Sequence, residues 1–122
     1  MNPPEFFLLL MAVLLSVAGQ IFLKFGALQL GAVNASNLVT QIFKIATTYE
    51  LIIGLMFYGF GAIAYILVLT RVPLSTAGPA ASMIYIFTVV SGSLFFNEAI
   101  TAAKILGLVT ITIGVLIISL KS

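Results

Sequence analysis

Three polar residues stand at four-residue intervals in the first long apolar stretch of the chain: Ser16, Gln20 and Lys24. Residues four positions apart share a face of a helix, so these side chains form one polar stripe. The stripe could line a cavity in which the Lys24 ammonium meets an anionic group. Alternatively, Ser16 and Gln20 hydrogen-bond to a neighbouring helix, and the Lys24 side chain extends to lipid headgroups.

The second apolar stretch carries glycines and tyrosines on one helical face, at Gly54, Tyr58, Gly61 and Tyr65. Glycines allow two helices to approach closely, and a tyrosine hydroxyl in apolar surroundings needs a partner or water. This face could therefore line a substrate groove. It could equally form a seam with a neighbouring helix, and the seam is favoured.

The third apolar stretch contains Ser82 and Tyr85, and a proline interrupts it at position 79. Pro79 removes a backbone hydrogen bond and favours a kink. Kinked helices at membrane depth often border binding cavities or moving parts, so Pro79 is predicted to act as a hinge. The alternative is that proline is simply more frequent in membrane helices.

Small residues form a stripe along the fourth apolar stretch, at Ala103, Gly107 and Gly114. Such stripes let helices pack closely in lipid. The partner helix could belong to the same subunit, but four helices alone hardly enclose a path. The stripe is therefore predicted to be a dimer interface.

Several kinds of chemistry are excluded by the residues that the sequence lacks. It has no cysteine and no histidine, which removes thiol nucleophiles, imidazole bases and the common zinc ligands. We therefore expect no enzyme activity, no metal site and no cofactor. Five basic and three acidic residues are also too few to form a nucleic-acid surface.

The positions of the acidic residues bear on the substrate. Glu5, Glu50 and Glu98 stand at the ends of apolar stretches rather than within them. Exchange of a cation for protons needs a carboxylate inside the membrane, so cationic substrates are disfavoured. A substrate that bears phosphate fits Lys24 and Arg71 better.

These residues must be positioned by helices in lipid. Hydrophobic residues make up 62% of the chain and charged residues 7%, against about 45–50% and about 25% in soluble domains. Helices of about 20 apolar residues cross about 30 Å of hydrocarbon, and the stretches lack the alternation of barrel strands. We predict an all-α, integral membrane bundle of four transmembrane helices. It forms a single domain of residues 1–122, with spans at about residues 6–25, 51–70, 72–96 and 102–120.

The connection after the first span is the one sizeable connection, and residues 37–46 within it are predicted to form a short interfacial helix. Ser36 could cap this helix, with apolar residues on one side and polar residues such as Gln41 on the other. The alternative is an ordered loop packed on the bundle. The other two connections are tight, so both termini face the same side.

The distribution of basic residues sets the orientation of a membrane protein. Arg71 and Lys121 are predicted on the side of the termini, and Lys24, Lys44 and Lys104 on the other side. This near balance permits either orientation, or insertion in both.

The first span resembles a known family of membrane transporters. Residues 14–20, followed by Lys24, are similar to the first helix of the ArnE/ArnF-like subunits of the undecaprenyl-phosphate-aminoarabinose flippase family. The third span is similar to that family's third helix and to the EamA-type pattern of the drug/metabolite transporter superfamily, in residues 72–77, Pro79, Ser82 and Glu98. Residues 107–118 are similar to the fourth helix of the same superfamily.

This resemblance implies a flippase, or a flippase subunit, that moves a polyprenyl-phosphate-linked sugar or related anionic lipid across the inner membrane. Such subunits pair as homodimers or heterodimers with a similar four-span subunit and work by alternating access. Lys24 and Arg71 would meet the phosphate. The remaining polar residues would line a path for the sugar: Ser16, Gln20, Tyr58, Tyr65, Ser82 and Tyr85.

The small multidrug resistance family is the nearest alternative, since its members also have four helices and a dimer built on the fourth. Those members carry a glutamate in the first helix, where this chain has Ser16, and typically a tryptophan in the third, which this chain lacks. A third hypothesis is an accessory membrane subunit that transports nothing alone.

Overall fold

A computed structural model describes residues 2–121, with the side chains of residues 2–120; the predicted contribution of the Lys121 side chain lies outside this range. The described chain is helical, without strands. Its helices are α1 (Pro3–Leu30), α2 (Leu38–Thr47), α3 (Tyr49–Leu69), α4 (Leu74–Ala81), α5 (Ile84–Phe96) and α6 (Ala102–Lys121). Four segments are long and apolar enough to cross a membrane, namely α1, α3, α4 with α5, and α6. The predicted all-α protein of four spans is confirmed.

Helix α1 extends beyond the predicted end of the first span at residue 25. It starts with a capping box, in which Asn2 Oδ1 accepts from the Glu5 N–H at 3.1 Å and Glu5 Oε1 accepts from the Asn2 N–H at 3.1 Å. It ends only at Gly31, whose φ of 78° closes the helix in a region that glycine enters without strain. Its 28 residues give a length of about 42 Å, so the last turns of α1 reach past the hydrocarbon.

Helix α2 confirms the short apolar helix predicted between the first two spans. Ser36 does not cap it; that prediction is wrong, because Asn37 occupies the cap position. Asn34 Oδ1 instead accepts from the backbone N–H groups of Ser36 at 3.0 Å and Asn37 at 3.1 Å. Asparagine often organises a turn in this way.

The side of α2 that faces the protein is polar. Gln41 is buried, and its Nε2 donates to the carbonyl of Leu30 at 3.2 Å, because the last carbonyls of α1 have no partner within their own helix. The apolar side chains of α2 are exposed. They are free to enter the lipid surface, as an interfacial helix requires.

Helices α1 and α3 form the tightest contact in the bundle, through glycines. A Cβ atom placed on Gly19 would lie 2.8 Å from the carbonyl oxygen of Gly54. One placed on Gly61 would lie 2.7 Å from Ser16 Oγ and 3.0 Å from the carbonyl oxygen of Ala12. The glycines of the second span therefore form the seam that their spacing suggested.

The third span is broken into α4 and α5 at Ser82 and Met83. The Ser82 N–H donates to the Pro79 carbonyl at 3.0 Å, and the Met83 N–H donates to the Ala80 carbonyl at 3.2 Å. These bonds span three residues instead of four, so the backbone tightens into a 3₁₀-type turn. The helix is therefore interrupted three to four residues after Pro79, near the predicted kink.

Helix α6 lies at the edge of the bundle and packs against α4 and α5. A buried apolar cluster joins the ends of α1, α3 and α4, and Val115 of α6 packs on it; its members are Leu9, Val68, Val72, Ala77 and Ala80. A Cβ added at Gly107 or Gly114 would meet no atom of the part of the chain that the structure describes within 4 Å. The small-residue stripe of α6 is therefore open in the single chain.

Candidate functional site

A cavity of about 360 Å³ lies between α1, α3 and the broken third span. Glycines and alanines make room for it, and hydroxyl groups line it. Five of the predicted site residues contribute to its wall: Ser16, Tyr58, Tyr65, Ser82 and Tyr85. The tyrosines of α3 thus line a cavity, while the glycines of the same face pack against α1.

The hydroxyl groups of this cavity differ in how far they are already engaged. Ser16 Oγ donates to the Ala12 carbonyl at 2.9 Å, and Ser82 Oγ donates to the Pro79 carbonyl. Among the side chains of residues 2–120 and the backbone of residues 2–121, the Tyr65 and Tyr85 hydroxyls have no hydrogen-bond partner. They can therefore bind a polar ligand without breaking an existing bond.

Gln20 joins this cavity to a second one. Its Nε2 donates to the Tyr58 hydroxyl at 3.4 Å, and its Oε1 lies 2.9 Å from the hydroxyl of Thr88 on α5. Thr88 Oγ1 also lies 2.8 Å from the Ile84 carbonyl, so its single proton is shared. Gln20 is thus both a contact between three helices and part of a polar lining.

The second cavity, of about 200 Å³, holds charged side chains. Polar groups from α1, α5 and the following loop line it: Gln20, Lys24, Thr88, Ser91 and Glu98. Thr88, Ser91 and Glu98 are not among the site residues predicted from the sequence. Thr88 stands three positions after Tyr85 and Ser91 three after Thr88, so helical spacing could have found both.

Arg71 lies apart from the other predicted site residues. Its Nε is 3.5 Å from Glu5 Oε2, at the end of the bundle where α1 begins. Its side chain is 52% exposed. Lys24 lies near the other end of α1, so Lys24 and Arg71 do not meet in one cavity in this conformation.

The two cavities lie one after the other along α1, and the polar groups in their otherwise apolar walls are called the polar route below. Hydroxyl and amide groups follow one another along α1 from Ser16 to Lys24. Among the described residues, no cluster of three or more His, Cys, Asp or Glu side chains could hold a metal ion. The hydroxyl, amide and ammonium groups of the polar route can hydrogen-bond to a polar ligand.

Three bacterial proteins resemble the chain over nearly its whole length. One is described as a probable 4-amino-4-deoxy-L-arabinose-phosphoundecaprenol flippase subunit ArnE of Proteus mirabilis. It is 30% identical over 117 residues, which cover 96% of this chain and 98% of the relative. The subunit of the same description from Serratia proteamaculans is 28% identical, over 95% and 96% of the two chains.

The third is described as the corresponding probable subunit ArnF of an Enterobacter species. It is 29% identical over 94% of each chain. No protein-family model and no solved structure matches the chain.

Proposed function

Since the chain belongs to the ArnE/ArnF family of flippase subunits, we propose that it helps to move a polyprenyl-phosphate-linked sugar across the inner membrane of a bacterium. The relatives' descriptions supply the class of lipid, and the polar route along α1 carries the proposal. Hydroxyl and amide groups would replace the water around the sugar during its passage. No covalent chemistry is required.

The phosphate would be met by two cations near opposite ends of α1, Lys24 in the smaller cavity and Arg71 outside both cavities. Lys24 is exposed to the smaller cavity, and Arg71 stands near the opposite end of α1. Their separation suits a carrier that accepts the phosphate on one side of the membrane and releases it on the other.

The prenyl chain would remain in lipid, which requires a lateral opening. Tyr58 and Tyr85 in the wall of the larger cavity are 39% and 54% exposed. The cavity is thus partly open at the surface of the bundle, where a lipid chain could lie while the headgroup occupies the interior.

Alternating access would use the broken third span. Helix α4 packs against α6, whereas α5 packs mainly against α1. A change of angle at Ser82 and Met83, set by Pro79, would open one cavity and close the other.

Pro79→Ala should then slow flipping without changing headgroup affinity; equal flipping rates would exclude Pro79 as the hinge.

The working unit would be a dimer with a second four-span subunit, identical or similar. Helix α6 is largely exposed, and its small-residue stripe is open. The relatives are described as subunits. A second bundle on α6 would cover this stripe.

Gly107→Leu is expected to prevent pairing while leaving the single chain folded. A Cβ atom at this position meets no atom of the described residues within 4 Å, but a leucine side chain would hold two packed helices apart. Cross-linking in native membranes would measure the dimer fraction. Gly59→Leu is the matched control, because Gly59 is also unobstructed but lies on α3. A full dimer fraction in Gly107→Leu would place the interface elsewhere.

The function itself is tested in reconstituted vesicles. A polyprenyl-phosphate-linked amino sugar is placed in the inner leaflet, and its arrival outside is detected with an amine reagent that does not cross membranes. The chain, alone or with its co-purified partner, should speed arrival well above the rate of protein-free vesicles. Activity that requires the partner would make the chain an obligate subunit.

Two results would contradict the proposed function. One is a rate equal to that of protein-free vesicles both with and without the partner. The other is uptake of quaternary cations with release of protons, which would support a multidrug exporter instead.

A further inference from the structure

The smaller cavity contains one cation and one anion that do not pair. Lys24 and Glu98 both line it, yet the ion pair found within 4.0 Å among the described side chains is that of Arg71 with Glu5. Neither the Lys24 ammonium nor the Glu98 carboxylate has a hydrogen-bond partner within residues 2–120. Two opposite charges that share a cavity without neutralising each other can hold a ligand that carries both charges.

The position of Glu98 follows from the turn after α5. Asn97 adopts a left-handed conformation, with φ of 55°, which ends helices at asparagine or glycine. The Glu98 N–H then donates back to the Gly92 carbonyl at 3.1 Å. A Cβ atom on Gly92 would collide with Glu98 Oε1, so the absence of a side chain at Gly92 lets the carboxylate lie over α5.

We propose that Glu98 selects a headgroup that carries a protonated amine beside its phosphate, with Lys24 on the phosphate and Glu98 on the amine. This assignment rests on the proposed function and adds a specificity-determining residue to it. A zwitterionic headgroup leaves the occupied cavity without net charge, because Lys24 and Glu98 balance each other as well.

Two lipids offer this combination of charges. One is a phosphorylated amino sugar on a polyprenol, and the other is the phosphoethanolamine headgroup of a phospholipid. The amide and hydroxyls of Gln20, Thr88 and Ser91 in the same cavity favour the amino sugar, whose hydroxyl groups they can bind.

The test compares two soluble probes on the purified chain with its co-purified partner. They are short-chain prenyl phosphate esters of 4-amino-4-deoxyarabinose and of arabinose, which differ in one amine. Wild-type protein should bind the amino probe at least about tenfold more tightly, which corresponds to about 1.4 kcal/mol. Glu98→Gln should bring the ratio of the two dissociation constants to about one, and the affinity for the arabinose probe should stay the same. Lys24→Gln should lower the affinity for both probes by the same factor.

Further variants test whether the loss of preference comes from the lost Glu98 charge or from a change in folding. Gly92→Ala should lower the preference by displacing the Glu98 carboxylate, and Glu98→Asp should retain part of it. Glu50→Gln is the matched control, since Glu50 accepts from Gln29 at 2.6 Å and lines neither cavity described above. It should keep the full preference.

The outcomes distinguish this assignment from the proposed function. A folded Glu98→Gln variant that keeps the preference overturns the assignment alone, as does wild-type protein that binds both probes equally. Wild-type protein that binds neither probe overturns the assignment and the proposed function together. If lysophosphatidylethanolamine, but not lysophosphatidylcholine, competes as strongly as the amino probe, Glu98 still selects an amine, but the lipid is a phospholipid.

Discussion

Replacing Lys24 with glutamine is expected to slow flipping of the sugar headgroup by about tenfold to a hundredfold. A hydrogen bond to a charged group contributes about 1.5–3 kcal/mol, and each 1.4 kcal/mol is about tenfold in an equilibrium constant. Lys24 is the cation that lines the smaller cavity. The vesicle assay with the amine reagent measures the change.

Lys44→Gln is the matched control, because it removes the same charge from the exposed face of α2. It should flip lipid at the wild-type rate. Lys104 is less suitable, since its Nζ donates to the Ala99 carbonyl at 2.7 Å and so holds the last loop. A Lys24→Gln protein that is normally inserted and flips at the wild-type rate would show that the phosphate is bound elsewhere.

The residues that line the two cavities from one helical face could be predicted from their spacing. Ser16 and Gln20 follow each other along α1, and Tyr58 and Tyr65 along α3, because helical spacing fixes which side chains share a face. Hydropathy likewise predicts the number of spans, since apolar length is set by the thickness of the bilayer. The family assignment also followed from local motifs in the first and third spans.

The features that depend on contacts between distant segments could not be predicted in this way. Glu98 stands at the end of a span in the sequence, but after the left-handed turn at Asn97 it lines the cavity that Lys24 also lines. Gln41 belongs to the polar side of α2, yet it turns inward because the end of α1 needs a donor. Hydropathy contains no information on either contact.

The open face of α6 is a further feature that the sequence predicts only in part. Its stripe of small residues predicts close packing but does not name the partner. Among the described residues, no atom lies within 4 Å of a Cβ built on Gly107. The stripe is thus available to a second subunit, which agrees with relatives that are described as subunits.

Gly54→Ala is expected to destabilise the protein by about 1–3 kcal/mol, the usual cost of forcing extra atoms into a packed interface. The new Cβ would lie 2.9 Å from the Gly19 carbonyl oxygen and 3.0 Å from the Leu23 side chain. A backbone oxygen cannot rotate away, so α1 and α3 must separate. The midpoint of thermal unfolding in detergent, followed by circular dichroism, should fall.

Gly59→Ala lies on the same helix α3 but should stabilise the protein, so its midpoint of thermal unfolding should rise. Its Cβ would meet no atom within 4 Å, and alanine in a helix is more favourable than glycine by about 0.5–1 kcal/mol. Equal midpoints for the two variants would show that the glycine seam does not hold α1 against α3. Separation of these helices would also move Gln20 away from Tyr58. Gly54→Ala should therefore slow flipping at temperatures where the protein remains folded. Gly59→Ala should leave the flipping rate unchanged.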